Sequence, residues 1–110
     1  MTQARILVID DDTNVLDLTQ FHLRKQGFEV VTTDNGSGGI NLMTAQSFDV
    51  VLTDMRLPDM DGIDLVRQGK ELAPDTEIIV ITGFSSIVTA VEATKAGAYQ
   101  FIEKPINYDK

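Results

Sequence analysis

Apolar runs recur five times along the chain: "RILVI" at 5–9, "FEVVTT" at 28–33, "DVVLT" at 49–53, "EIIVIT" at 77–82 and "AYQFIE" at 98–103. Most of them are continuous rather than alternating. A strand that is apolar at successive positions has no face to give to water, so it needs cover on both sides. The intervening stretches supply that cover. Residues 13–26 have helical spacing, with Val15, Leu16, Leu18, Phe21 and Leu23 read as the apolar side and Gly27 as the stop. Residues 35–46, "NGSGGINLMTAQ", read as a weak and mobile helix, because three glycines crowd its start. Residues 62–73 form a helix closed by Pro74, and residues 85–97 a helix with a serine cap and a terminal glycine. Strand and helix alternate with short links. This pattern predicts one α/β domain over residues 1–110: a doubly wound, five-stranded parallel sheet.

In such sheets the ligand crevice opens beyond the carboxyl ends of the strands. The residues at those ends are unusual for apolar strands. The first run ends in Asp10-Asp11-Asp12, the third in Asp54, the fourth in Thr82-Gly83 and the fifth in Lys104-Pro105. The loop after the third run, "MRLPDMDG", adds Asp59 and Asp61. Clustered carboxylates repel by roughly 4 kcal/mol per pair at about 4 Å in a medium of dielectric near 20. Protonation or a bound cation relieves that cost. Oxygen donors without His or Cys favour a hard ion, Mg²⁺ before Zn²⁺. A Mg²⁺ with open positions attracts phosphate oxygens. Lys104 would hold a second anionic oxygen and Thr82 a third. Asp54 then stands where a carboxylate can attack phosphorus and form an acyl phosphate.

Composition excludes several other classes. The chain has no cysteine, so it has no disulfide or thiol chemistry, which suits the cytoplasm. A formal net charge of −8 disfavours nucleic acid and anionic lipid as direct partners. The start of the chain lacks a signal-peptide pattern, and no apolar run approaches the length of a membrane span. "DMDG" at 59–62 looks like part of an EF-hand loop, but the first and twelfth positions hold Leu57 and Gln68. Gly36 and Gly38 do not complete a dinucleotide fingerprint, since the third place is Asn41. His22, the single histidine, reads as a helix-surface or half-buried residue.

"ILVIDDD", "LTDMRLPDMDG", "VITG" and "GAYQFIEKP" occur in this order across nearly the whole chain. Together they resemble the receiver domain of two-component response regulators, and in particular those of nitrogen-regulatory type activators. The resemblance implies a flavodoxin-like sheet in the order 2-1-3-4-5. It implies that Asp54 accepts a phosphoryl group from a sensor histidine kinase. Asp11 would ligate Mg²⁺ directly, Asp10 through water, and the backbone carbonyl of Arg56 would be a third protein ligand. Thr82 would be the switch hydroxyl, Phe101 the switch aromatic and Lys104 the phosphate-pairing amine, with a cis peptide before Pro105. Phosphorylation would reshape the face from strand four through helix four to strand five. An output domain, a second receiver or a second copy of the chain would read that face. The chain would be no enzyme beyond its own phosphorylation and dephosphorylation. A fifth helix usually follows the Lys-Pro pair, and here the sequence stops near its start, so truncation of a longer regulator is expected.

Three rivals remain. A Mg²⁺-dependent phosphohydrolase with an aspartyl nucleophile on strand one would want Thr or Val where Asn14 stands. A flavodoxin-like cofactor binder would want Ser, Thr and Gly where the three aspartates stand. A degenerate receiver would act only as a binding module.

Overall fold

The computed structural model describes residues 4–82 and 87–103. Along the chain run β1 (Arg5–Ile9), α1 (Thr13–Lys25), β2 (Glu29–Thr33), α2 (Gly36–Ala45), β3 (Val50–Asp54), α3 (Gly62–Leu72), β4 (Glu77–Thr82), α4 (Ile87–Ala96) and β5 (Gln100–Glu103). The strands pair in the order β2-β1-β3-β4-β5, every pair parallel. The expected fifth helix falls outside the described residues. So do the serine cap expected for α4 and the Lys104-Pro105 pair.

Continuous apolar character in β1 is used on both sides, because successive side chains of a strand point to opposite faces. Leu7 and Ile9 join Val51, Ile78 and Val80 in one cluster, which Met43 of α2, Leu65 and Val66 of α3 and Ala93 of α4 complete. Ile6 and Val8 face the other way and pack with Val30 and with Leu16 of α1. A one-residue slip of β1 would exchange these two sets, so its register is fixed by two differently shaped partners.

Two expectations about the helices are corrected. In α1 the buried residues are Leu16 and Thr19, and Leu23 packs partly against the same cluster. Leu18 and Phe21, assigned to the apolar side, are 51% and 61% exposed. At 100° per residue they lie opposite Leu16, so counting apolar residues overrode the helical phase. Gly27, at φ +94°, ends this helix as expected.

The second correction concerns α2. Its glycines serve close packing. A Cβ on Gly36 would collide with Met60, one on Gly38 with Thr33, and one on Gly39 with Ile9. Asn35 caps the helix through Oδ1, which accepts the N–H of Gly38 at 2.6 Å. The helix start is therefore docked on β1 and on the loop after β3. The two readings differ in sign for Gly39→Ala. A loosely held helix would gain about 1 kcal/mol from the better propensity of alanine. Over-packing against the fully buried Ile9 costs about 1–3 kcal/mol. We expect urea denaturation to show a net loss of stability.

Candidate functional site

Sheet register decides which side chains meet at the carboxyl edge. Ile9 pairs with Thr53, so the next residues, Asp10 and Asp54, come level on adjacent strands. They share a pleat parity with Val8 and Leu52, so both emerge toward the same side. Asp54 pairs with Ile81, which sets Thr82 one step farther along β4. Thr82 in turn pairs with Glu103 of β5, and Phe101 pairs with Val80. Lys104 and Pro105 lie outside the described residues.

Asp10, Asp11 and Asp54 each bring one carboxylate oxygen within 4.8 Å of the others. Asp10 is buried, Asp54 half-buried and Asp11 exposed. The Asp10 carboxylate is oriented locally, since its Oδ1 accepts the Asp12 N–H at 3.0 Å. Asp12 turns away from the cluster to cap α1, where its Oδ1 accepts the Asn14 N–H at 2.9 Å. The acidic triple thus divides into two members of the cluster and one helix cap. The positive end of the α1 dipole begins beside the carboxylates and offsets part of their repulsion. The donor set fits Mg²⁺: three carboxylates, all hard oxygen donors, with no His or Cys among them.

The loop from β3 to α3 closes tightly behind Asp54. Arg56 and Asp61 form an isolated antiparallel bridge. The Gly62 N–H donates to the Met55 carbonyl at 2.7 Å. A Cβ on Gly62 would meet only backbone, with Met55 Cα at 2.7 Å and the Asp54 carbonyl oxygen at 2.8 Å. Asp61 caps α3 by accepting the Ile63 N–H at 2.8 Å. Leu57 and Met60 pack against the main core, and Arg56 itself is exposed.

One residue in this loop does more than its sequence position signals. Asp59 reaches across to α2, where its two carboxylate oxygens accept the N–H of Gly36 at 2.7 Å and of Ser37 at 2.8 Å. These backbone hydrogen bonds, Ser37 first and Gly36 second, hold its pKa below the ordinary aspartate value. The sequence places Asp59 only in the loop after the third apolar run. A cap supplied from 22 residues away leaves no local pattern to find.

Comparison with known proteins decides the family. The model of the response regulator receiver domain matches residues 6–110. The chain belongs to the response regulator receiver family. Among curated relatives, the transcriptional regulatory protein ZraR of Klebsiella oxytoca is 38% identical over 108 residues, which cover 98% of this receiver chain and 24% of ZraR. The receiver chain therefore spans about a quarter of the length of such relatives. A CheY-like receiver domain protein from Methanospirillum hungatei superposes with a TM-score of 0.95 at 35% identity, covering 98% of this chain and 86% of that one. A response regulator from Burkholderia pseudomallei, solved with a phosphorylated aspartic acid, calcium ion and citrate, gives a TM-score of 0.93 at 33% identity. That match covers 97% of this chain and 63% of the other. The resemblance read from the four motifs and the flavodoxin-like α/β sheet both stand. Among the described residues, no helix is long and apolar enough to cross a membrane.

Two consequences are measurable. Removing one charge from the cluster should relieve repulsion worth between about 1 and 4 kcal/mol, the range from aqueous to partly buried surroundings. Asp54→Asn is therefore expected to raise the thermal midpoint in EDTA and to shrink the further rise produced by added Mg²⁺. The depressed pKa of Asp59 has a definite sign. Its stabilising bonds are fully present above the unfolded-state value and are lost as pH falls through the folded value. Urea midpoints of the wild type and Asp59→Ala should differ at neutral pH and converge below about pH 4.

Proposed function

We propose that this receiver domain is a phosphorylatable switch that accepts a phosphoryl group on Asp54 from a sensor histidine kinase in the cytoplasm. The observation that carries this reading is the convergence of Asp10, Asp11 and Asp54 at the ends of adjacent strands. A half-buried carboxylate beside two others is a costly arrangement unless a cation and a phosphoryl group use it. Membership of the receiver family and the phosphorylated aspartate of the Burkholderia relative support the same reading.

In the proposed chemistry an Asp54 carboxylate oxygen attacks the phosphorus of phosphohistidine. The new O–P bond is an acyl phosphate, the P–N bond breaks, and the imidazole leaves with the electron pair. Asp11 would hold Mg²⁺ directly, Asp10 through water, and the Arg56 carbonyl would complete the protein's share. When bound, Mg²⁺ neutralises charge on the transferring oxygens. Lys104 would pair with a phosphoryl oxygen and Thr82 would donate its hydroxyl to another. Attraction of Thr82 would draw in the segment between β4 and α4, and Phe101 would follow, with Pro105 fixing the turn beyond β5 through a cis peptide. This is a two-state element biased by local charge.

The readout face would run from β4 through α4 to β5, where Val91 of α4 is 45% exposed and Tyr99, just before β5, is 67% exposed. An output domain, a second receiver or a second copy would bind there. The length of relatives such as ZraR supports an output domain in a longer regulator.

The test is intact-mass spectrometry after incubation with acetyl phosphate. One added phosphoryl group is expected with Mg²⁺, none in EDTA, and none on Asp54→Asn. A folded wild-type chain that binds no Mg²⁺ would defeat the mechanism, and multiple turnover of a generic phosphoester would favour the phosphohydrolase reading.

A further inference from the structure

We propose that Asp59 is a positioning residue for Mg²⁺ binding, acting as a carboxylate strut that locks the loop after β3 onto the glycine-rich start of α2. The inference rests on the reading of Asp10, Asp11, Asp54 and the Arg56 carbonyl as the metal site.

The loop has only a short path from Asp54 to α3. At its base, the bridge between Arg56 and Asp61 and the Gly62-to-Met55 hydrogen bond hold the two ends together. The first lies within the loop, and the second joins its start to the first residue of α3. They fix its shape without fixing its tilt against the rest of the molecule. Leu57 and Met60 anchor it from below by apolar contact, which resists separation better than sliding. The Asp59 carboxylate adds the directional contact. Its two oxygens are each committed to one backbone N–H of α2, at 2.7 and 2.8 Å, and two such bonds define an orientation as one does not.

α2 is built to receive this strut. Gly36 is buried, and a side chain there would occupy the space held by Met60 Cγ and Sδ and lie 3.1 Å from Asp59 Oδ1. Gly38 gives its N–H to the Asn35 cap, so the N–H groups of the first three helical residues are all satisfied by side chains. α2 is anchored in turn by Gly39 against Ile9, at the end of β1. A closed path follows: β1 carries Asp10 and supports α2, α2 holds Asp59, and Asp59 holds the loop that presents Arg56. The metal ligands on β1 and in the loop are thereby referred to one another through a route that does not pass through the metal. Preorganisation of this kind lowers the cost of assembling the ligand set, and supporting residues of metal sites typically contribute about 10–100-fold in affinity.

The test uses isothermal titration with Mg²⁺ and acetyl-phosphate labelling on the wild type, Asp59→Ala, Asp59→Asn and Gly36→Ala. Asp59→Ala should weaken Mg²⁺ binding by about 10-fold, at the lower end of that range. The Mg²⁺ concentration for half-maximal labelling should rise by the same factor, while the labelling rate at saturating Mg²⁺ stays within about two-fold. Asp59→Asn keeps one acceptor oxygen and should fall between the two. Gly36→Ala disturbs the same dock with the carboxylate intact, so its effect and that of Asp59→Ala should combine less than additively. Amide hydrogen exchange should show Gly36 and Ser37 losing protection in Asp59→Ala while β1 and β3 retain theirs, which also establishes that the variant is folded. Unchanged Mg²⁺ affinity in a folded Asp59→Ala that has lost this protection would overturn the strut and leave the metal site standing. A wild type that binds no Mg²⁺ would overturn both.

Discussion

The alignment of β1 with β3 is the constraint on which everything else hangs. Ile9 lies against Thr53, and the next step along both strands puts one carboxylate beside another. No chain would choose that pairing for stability, because like charges on neighbouring strands destabilise the edge they share. The pairing is enforced from below. Ile6 to Ile9 are buried on both faces, with Leu7 and Ile9 serving one cluster and Ile6 and Val8 the other. Core packing therefore supplies the free energy that holds the charges together, and a bound cation would relieve the repulsion.

The surroundings of the cluster show how a small domain keeps such an edge intact. Asp10 gives one oxygen to the Asp12 N–H, Asp12 and Asp61 cap α1 and α3, and Asp59 accepts two N–H groups at the start of α2 beside the Asn35 cap. The carboxylates near the rim thus divide by use: Asp12, Asp59 and Asp61 are taken up by backbone N–H groups at helix starts, while Asp10, Asp11 and Asp54 form the cluster. Helix capping and ligand binding use the same residue type, and only the geometry separates them. Family membership is established by the match over residues 6–110, and the roles of the individual site residues follow from this geometry as proposals.

Much of this was legible in the sequence, for identifiable reasons. Strand positions and parallel architecture follow from uninterrupted apolar runs, a signal that depends only on two-sided burial. The carboxylate edge follows because those runs stop at acidic residues. Gly27 was readable because helix termination is local. Three features were not. The exposure of Leu18 and Phe21 depends on which side of α1 meets the sheet. The packing of Gly36, Gly38 and Gly39 depends on Met60, Thr33 and Ile9, which are distant in the chain. The reach of Asp59 depends on the loop and α2 lying side by side. In each case the deciding partner is tertiary, and composition alone gave the opposite impression for the glycines.

The end of the sheet remote from the carboxylates is fastened in a different manner. Lys70 gives its amine to the carbonyls of Pro74 and Thr76 while its stem lies against Gly97, so one side chain ties the exit of α3, the entry of β4 and the end of α4. Thr76 adds a buried hydroxyl bond to the Phe48 carbonyl, and Arg5 reaches Gln46 and Glu29 while its N–H meets Asp49. The molecule consequently has a clamped pole and a charged pole. Each of these ties joins a turn or a helix end to the start of a strand, so the strands enter the sheet from fixed points and carry that register up to the carboxylate rim.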